Sequence, residues 1–125
     1  MKRGGGRVAA GAIFWAFAGM SFTTGVLPSV IAMTLEMTSL DVHLRVGTFT
    51  TLMTLAWGAA GAVVGWVGGR GPSTLLLGGC GLLSGLALGG LGIGEGTAYL
   101  LVSGLAGLLY GGVGGLILGS VFTRD

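Results

Sequence analysis

Side-chain charge is confined to eleven positions, counting His43, and they cut the chain into four long uncharged runs. The charged positions are Lys2, Arg3, Arg7, Glu36, Asp41, Arg45, Arg70, Glu95, Arg124 and Asp125. Between them lie residues 8–35, 46–69, 71–94 and 96–123, of 28, 24, 24 and 28 residues. A helix needs about 20 apolar residues to cross the hydrocarbon core of a bilayer. Each run is long enough, with a few residues left for turns or tilt. The runs lack the alternation of a barrel strand, and a barrel needs about eight strands or more. The pattern therefore predicts an all-α fold: one integral membrane domain over 1–125, a four-helix up-down bundle.

Composition excludes the soluble alternative. Charged residues are 8% of the chain, against about 25% in an ordinary soluble domain. Hydrophobic residues are 52%, and there is no Asn or Gln. The first run continues unbroken to Leu35 behind a basic start, so it reads as an uncleaved first helix rather than a signal peptide.

Orientation is read from Lys and Arg. Four spans place Lys2, Arg3, Arg7, Arg70 and Arg124 on one side and only Arg45 on the other. This predicts both termini in the cytoplasm and a multi-pass protein of the bacterial cytoplasmic membrane. Connections are expected to be short. Arg70-Gly71-Pro72-Ser73 is the expected second turn, with Gly71 ending one helix and Pro72 starting the next. Gly94-Glu95-Gly96-Thr97 is the third. Residues 36–46 form the one expected loop of any length, and Glu95 is expected to be solvated.

Glycine carries the packing signal. Residues 1–57 contain 7 glycines and residues 58–125 contain 22. Helices in lipid gain little by hiding apolar surface, so they associate through small residues that let backbones approach. The second span carries Gly58, Gly61, Gly65 and Gly69. The third carries Gly78, Gly81, Gly85, Gly89 and Gly92, and the fourth Gly104, Gly107, Gly111, Gly115 and Gly119. Steps of three and four put each set on one helix face. The first span has a weaker stripe at Ala18, Ser21, Gly25, Ser29 and Ala32. Three uses are open: packing within the bundle, contact with another protomer, or lining of a narrow pathway.

Few residues point to chemistry. Pro28 sits inside the first span, removes a backbone donor and crowds the carbonyl of Thr24. With Ser21, Thr24 and Thr54 it marks a possible pathway beside a proline kink. The competing reading is an ordinary kink, with each threonine hydroxyl bonded to its own helix. His43 and Cys80 are single, so one chain offers no metal cluster, bis-histidine haem or internal disulfide. No catalytic constellation is visible, and no cofactor is called for. The short basic start suits anionic lipid, and nothing suggests nucleic acid. Trp15 and Trp66 are expected at one membrane boundary and Tyr99 at the other. Trp57 and Tyr110 fall deeper and need partners for their polar groups.

One stretch has a familiar layout. Gly61-Ala62-Val63-Val64-Gly65-Trp66-Val67-Gly68-Gly69-Arg70-Gly71 is followed by Leu75-Leu76-Leu77-Gly78-Gly79, Gly81-Leu82-Leu83-Ser84-Gly85 and Gly104-Leu105-Ala106-Gly107-Leu108-Leu109-Tyr110-Gly111. It resembles an uncharacterised family of small, glycine-rich four-span membrane proteins of spore-forming Gram-positive bacteria. The likeness covers about residues 45–120, although the turn has one arginine where the family often has several basic residues. The resemblance implies the same four-span layout and no catalytic residue or ligand.

Together these features predict a non-enzymatic membrane protein that works through glycine-mediated helix packing, as a homo-oligomer or an accessory subunit of a membrane complex. The docking face is expected on the fourth span, at Gly111 and Gly115. The alternative is a passive channel or small-solute transporter by the Pro28 kink.

Overall fold

The computed structural model describes the backbone of residues 3–121 and the side chains of residues 5–121. The side chains of Lys2, Arg3 and Arg124, which contribute to the charge asymmetry, lie outside the described residues, as do positions 122–123 of the fourth expected span. Four helices are long and apolar enough to cross a membrane: α1 (Gly5–Thr34), α2 (Ser39–Val67), α3 (Arg70–Ile93) and α4 (Thr97–Val121). They run up-down with short connections, and the chain is all-α among the described residues.

The boundaries follow local chemistry, with two departures from expectation. Residues Ser39–Val46 are helical rather than loop. Thr38 is extended, and its hydroxyl accepts from the Asp41 N–H at 3.2 Å, an N-cap that starts α2 early. At 29 residues, α2 is about 43 Å long. That exceeds a hydrocarbon core of about 30 Å, so its first turns, with Asp41, His43 and Arg45, reach headgroup level. The second turn is also displaced. It is Gly68-Gly69, with φ of 74° and 87°, and Arg70 already begins α3. Only glycine adopts two successive positive φ values without penalty. Pro72 then falls in the first turn of α3, where its missing N–H costs no internal bond.

Around Pro28 the α1 hydrogen-bond ladder is irregular. A π-helical turn over Phe22–Val26 precedes the proline, and the Leu27 N–H donates to the Phe22 carbonyl, five residues back. The wider turn shifts the ladder just before the residue that has no donor, a common cause of helix kinks. A second π-helical turn, Leu88–Ile93, closes α3. Gly94 ends it in the left-handed conformation and donates to the Gly89 carbonyl at 2.9 Å.

The helices pair as two hairpins, α1 with α2 and α3 with α4. In each hairpin the two backbones lie against one another. In the second hairpin, a Cβ on Gly81 or Gly107 would meet the other's carbonyl, and one on Gly85 would meet the Ser103 carbonyl. A Cβ on Gly111 would meet the Leu77 carbonyl. One on Gly115 would lie 2.5 Å from the Ser73 carbonyl oxygen, and one on Gly119 2.7 Å from the Arg70 Cα. Each step of four along α3 is matched by an opposite step of four along α4. The first hairpin repeats the register. Gly11 faces Gly61, Gly65 faces the Arg7 carbonyl, and a Cβ on Gly19 would lie 2.8 Å from the Met53 carbonyl oxygen. Gly69, grouped by spacing with the α2 stripe, instead belongs to the turn, and Gly89 packs on Leu100 and Ser103 from the π-helical segment.

Backbones this close leave no room for a methyl group. Gly81→Ala and Gly107→Ala should each cost about 1–3 kcal/mol of stability. Gly79→Ala should stay within about 0.5 kcal/mol, because a Cβ there meets nothing within 4 Å. Equilibrium unfolding in mixed micelles measures all three.

Candidate functional site

The two hairpins meet through an aromatic stack. The Trp15 and Trp57 rings are stacked with centroids 5.2 Å apart, and Phe22 stacks on Trp57 at 5.2 Å. Tyr110 of α4 closes the group at 5.5 Å from Phe22 and 5.9 Å from Trp57. The far edge of the Trp15 ring lies over Gly114, where a Cβ would strike it. Gly114 thus makes the recess that seats the ring. Trp57 is fully buried, and its Nε1–H donates to the Ser84 hydroxyl of α3 at 2.8 Å. The deep placement of Trp57 and its need for a hydroxyl partner were legible from the sequence. Trp15 was assigned to a membrane boundary and is instead 4% exposed in the centre. Trp66 does face outward.

This stack fills the middle of the bundle. Leu27, Leu77, Leu88 and Leu118 belong to the same buried cluster. The possible pathway residues do not converge. Pro28 is buried. Ser21 and Thr24 line a shallow recess on the outer face of α1. Thr54 lines a separate recess with Ile13, Phe17 and Met20. The threonine hydroxyls are engaged within their own helices: Thr24 donates to the Met20 carbonyl at 2.7 Å, Thr23 to Gly19 at 2.9 Å and Thr54 to Thr50 at 2.8 Å.

Two surfaces remain as candidate sites. The first is the recess on α1, lined by Ser21, Thr24, Gly25, Val26, Ser29 and Val30. Ser21, Gly25, Ser29 and Ala32 are all exposed, and a Cβ on Gly25 would meet nothing within 4 Å. The small-residue stripe of α1 is therefore uncovered over this stretch. The stripe expected to be free, at Gly111 and Gly115, is instead covered by α3. The second surface is a groove of about 750 Å³ between α1 and α4, where the hairpins splay apart. Its lining is apolar apart from Ser21, the Tyr110 hydroxyl and the Trp15 indole. Sequence reasoning missed this groove because it depends on which helices become neighbours.

At the opposite end from the Gly68-Gly69 turn, one ion pair ties the hairpins together. Arg45 Nη1 lies 2.9 Å from Glu95 Oε2 and donates to the Ile93 carbonyl at 3.0 Å. Glu95 is exposed, as expected, and the pairing with Arg45 adds to that expectation. Among the described residues, no three of His, Cys, Asp and Glu come together as a metal site. No family model, curated protein or solved structure matches this chain.

The Trp57–Ser84 bond is the polar link between the hairpin interiors. A double-mutant cycle of Trp57→Phe and Ser84→Ala should give a coupling of about 0.6 kcal/mol, the average between membrane helices, and no more than about 1.7. An Arg45→Ala, Glu95→Ala cycle should give no more than about 1 kcal/mol and weaken with salt.

Proposed function

We propose that this chain is a non-enzymatic membrane protein that self-associates through the exposed small-residue face of α1. The carrying observation is the difference between Gly25 and the other helix-packing glycines. Gly61, Gly65, Gly81, Gly85, Gly107, Gly111 and Gly115 already lie against a backbone of the same chain. Gly25 has open space in front of it, as Gly79 and Gly112 also do, and it sits in a recess with the exposed Ser21 and Ser29. In lipid, a small-residue face of this kind admits a second helix at short range. A two-fold axis along the stripe would place each copy's Gly25 against its counterpart. The aromatic stack favours this reading over a solute pathway through one chain.

The orientation belongs to the same proposal. Arg7 and Arg70 lie at one end of the bundle, Arg45 at the other. Together with Lys2, Arg3 and Arg124 they favour cytoplasmic termini in a bacterial inner membrane.

Cross-linking tests the interface. In a Cys80→Ser background, Gly25→Cys and Ser29→Cys should form disulfide dimers in membranes under mild oxidant. Leu83→Cys, on the exposed face of α3, should not. Gly25→Leu should abolish association while leaving helicity and unfolding midpoint unchanged. Dimers no more frequent from positions 25 and 29 than from 83, or association that survives Gly25→Leu, would refute this interface.

A further inference from the structure

Two irregular turns at one depth set the outer end of the first hairpin apart from the rest of it. In α1 the irregular turn is Phe22–Val26. The Leu27 N–H donates to the Phe22 carbonyl, Pro28 has no N–H, and regular pairing resumes with Val26 as the N-cap of Leu27–Thr34. The carbonyls of Thr23, Thr24 and Gly25 are left with one helix donor among them, the Ser29 N–H. In α2 the interruption is a 3-10 turn, Gly47–Phe49, where the Thr50 N–H donates to the Gly47 carbonyl only three residues back. Val46 (φ −95°, ψ −9°) and Phe49 (φ −92°, ψ 0°) lie in the sparsely populated bridge region. The two turns touch one another. The hairpin register, Gly11 against Gly61 and Gly19 against Met53, continues to Gly25 against Gly47. A Cβ on either of those last two glycines would meet nothing within 4 Å, so no neighbour wedges them in place.

Beyond the turns, Leu27–Val46 has packing of its own. Its arms, Leu27–Thr34 and Ser39–Val46, lie against each other, and Leu27, Ile31, Val42 and Val46 are fully buried. Its contact with the second hairpin is of a looser kind than the glycine-on-backbone contact below the turns. Val46 seats on Gly92, where an added Cβ would lie 3.1 Å from Val46 Cγ1, and Leu27–Thr34 touches α4. The polar tie is Arg45, bonded to Glu95 and to the Ile93 carbonyl.

We infer that Leu27–Val46 is a hinged cap on the outer end of the bundle, turning at Phe22–Val26 and Gly47–Phe49 and held down by Arg45. Mid-helix π and 3-10 turns are where a helix yields. Here one of each stands side by side, so both arms turn together and neither helix has to break. The buried side chains keep the closed position dominant. The Arg45–Glu95 pair is 37% and 45% exposed, so its contribution varies with ionic conditions at that surface. Opening lifts Val46 from Gly92 and uncovers the π-helical end of α3.

Distances between spin labels test the cap in a Cys80→Ser background. The inference does not rest on self-association, and dilution with unlabelled protein removes distances between copies. Leu40→Cys with Thr97→Cys spans the cap and the second hairpin. Met33→Cys with Leu44→Cys lies within the cap, and Leu55→Cys with Leu83→Cys spans the hairpins below the turns. All of these positions are exposed. Arg45→Ala should raise a longer-distance population of the first pair by up to about fivefold, the most an exposed ion pair supplies. The other two pairs should not change. Raised salt on the parent protein should act in the same direction, which keeps the test available should Arg45→Ala misfold. Pro28→Ala, which returns a donor to α1, should reduce the longer-distance population. A first-pair distribution indifferent to both Arg45→Ala and salt would overturn the cap. An equal change in the Leu55 and Leu83 pair would overturn it too, since the hairpins would then part as wholes. So would a change in the Met33 and Leu44 pair, the mark of local unfolding.

Discussion

Direct backbone-to-backbone packing within each hairpin is the constraint on which the rest of this structure depends. Water drives soluble helices together by expelling apolar surface, and lipid offers no comparable force. What remains is dispersion, weak Cα–H···O contact and hydrogen bonding, all of which fall off steeply with distance. Glycines at Gly11, Gly61 and Gly65, and at Gly81, Gly85, Gly107 and Gly111, remove the side chains that would hold the axes apart. Their steps of four keep the contact on one face along most of each helix. The π-helical turns lie at Phe22–Val26 and Leu88–Ile93, on the side of the bundle away from the Gly68-Gly69 turn, where the strict register has nearly run out.

Two tight pairs then have to be joined into one body, and the join is of another kind. Large rings and a Trp57–Ser84 hydrogen bond fill a space that backbone contact does not close. Gly114 receives the edge of Trp15 much as Gly61 receives a backbone, but here small meets large. The pairs come together along α2 and α3 and splay between α1 and α4. The connections reinforce that asymmetry. Gly68-Gly69 ties α2 to α3 at one end, and Arg45 reaches Glu95 at the other. No covalent turn joins α1 to α4.

Span number and the internal stripes were legible because each has a local signature, whereas the start of α2 at Ser39 was not. Charges mark off the spans without fixing their ends, since Asp41 and Arg45 lie inside α2, and steps of three and four mark a helix face. Pro28 was legible as a break in the α1 ladder, although the π-helical turn before it was not, since the register shift depends on how the neighbouring turns settle. Helix pairing left no such signature. All the glycine stripes look alike in one dimension, so nothing local distinguishes Gly111, which is covered, from Gly25, which is open. Trp15 has the spacing of a boundary residue, but Gly114, ninety-nine positions later, gives its ring a place inside. Glu95 is exposed, as its place between glycines suggests, but its pairing with Arg45 on α2 has no local signature.

Within each hairpin the same physics reverses the usual relation between size and burial along the contact face. On α3, Leu75, Leu83 and Leu91 face outward, while Gly78, Gly81, Gly85 and Gly89 face the partner helix. In a soluble bundle those leucines would be the core. Here hydropathy is high on both faces, so on the face where α3 meets α4 volume rather than polarity decides what lies against the partner backbone, while Leu77 and Leu88 are buried as well. A substitution is therefore to be judged by the space in front of the residue. A larger side chain at Gly81 forces two backbones apart, whereas one at Gly25 changes only what may approach from outside. That difference makes α1 informative: Ser21, Gly25, Ser29 and Ala32 are exposed along one stripe. Its recess and the adjoining groove are thus where the bundle departs from the packing rule that builds the rest of it.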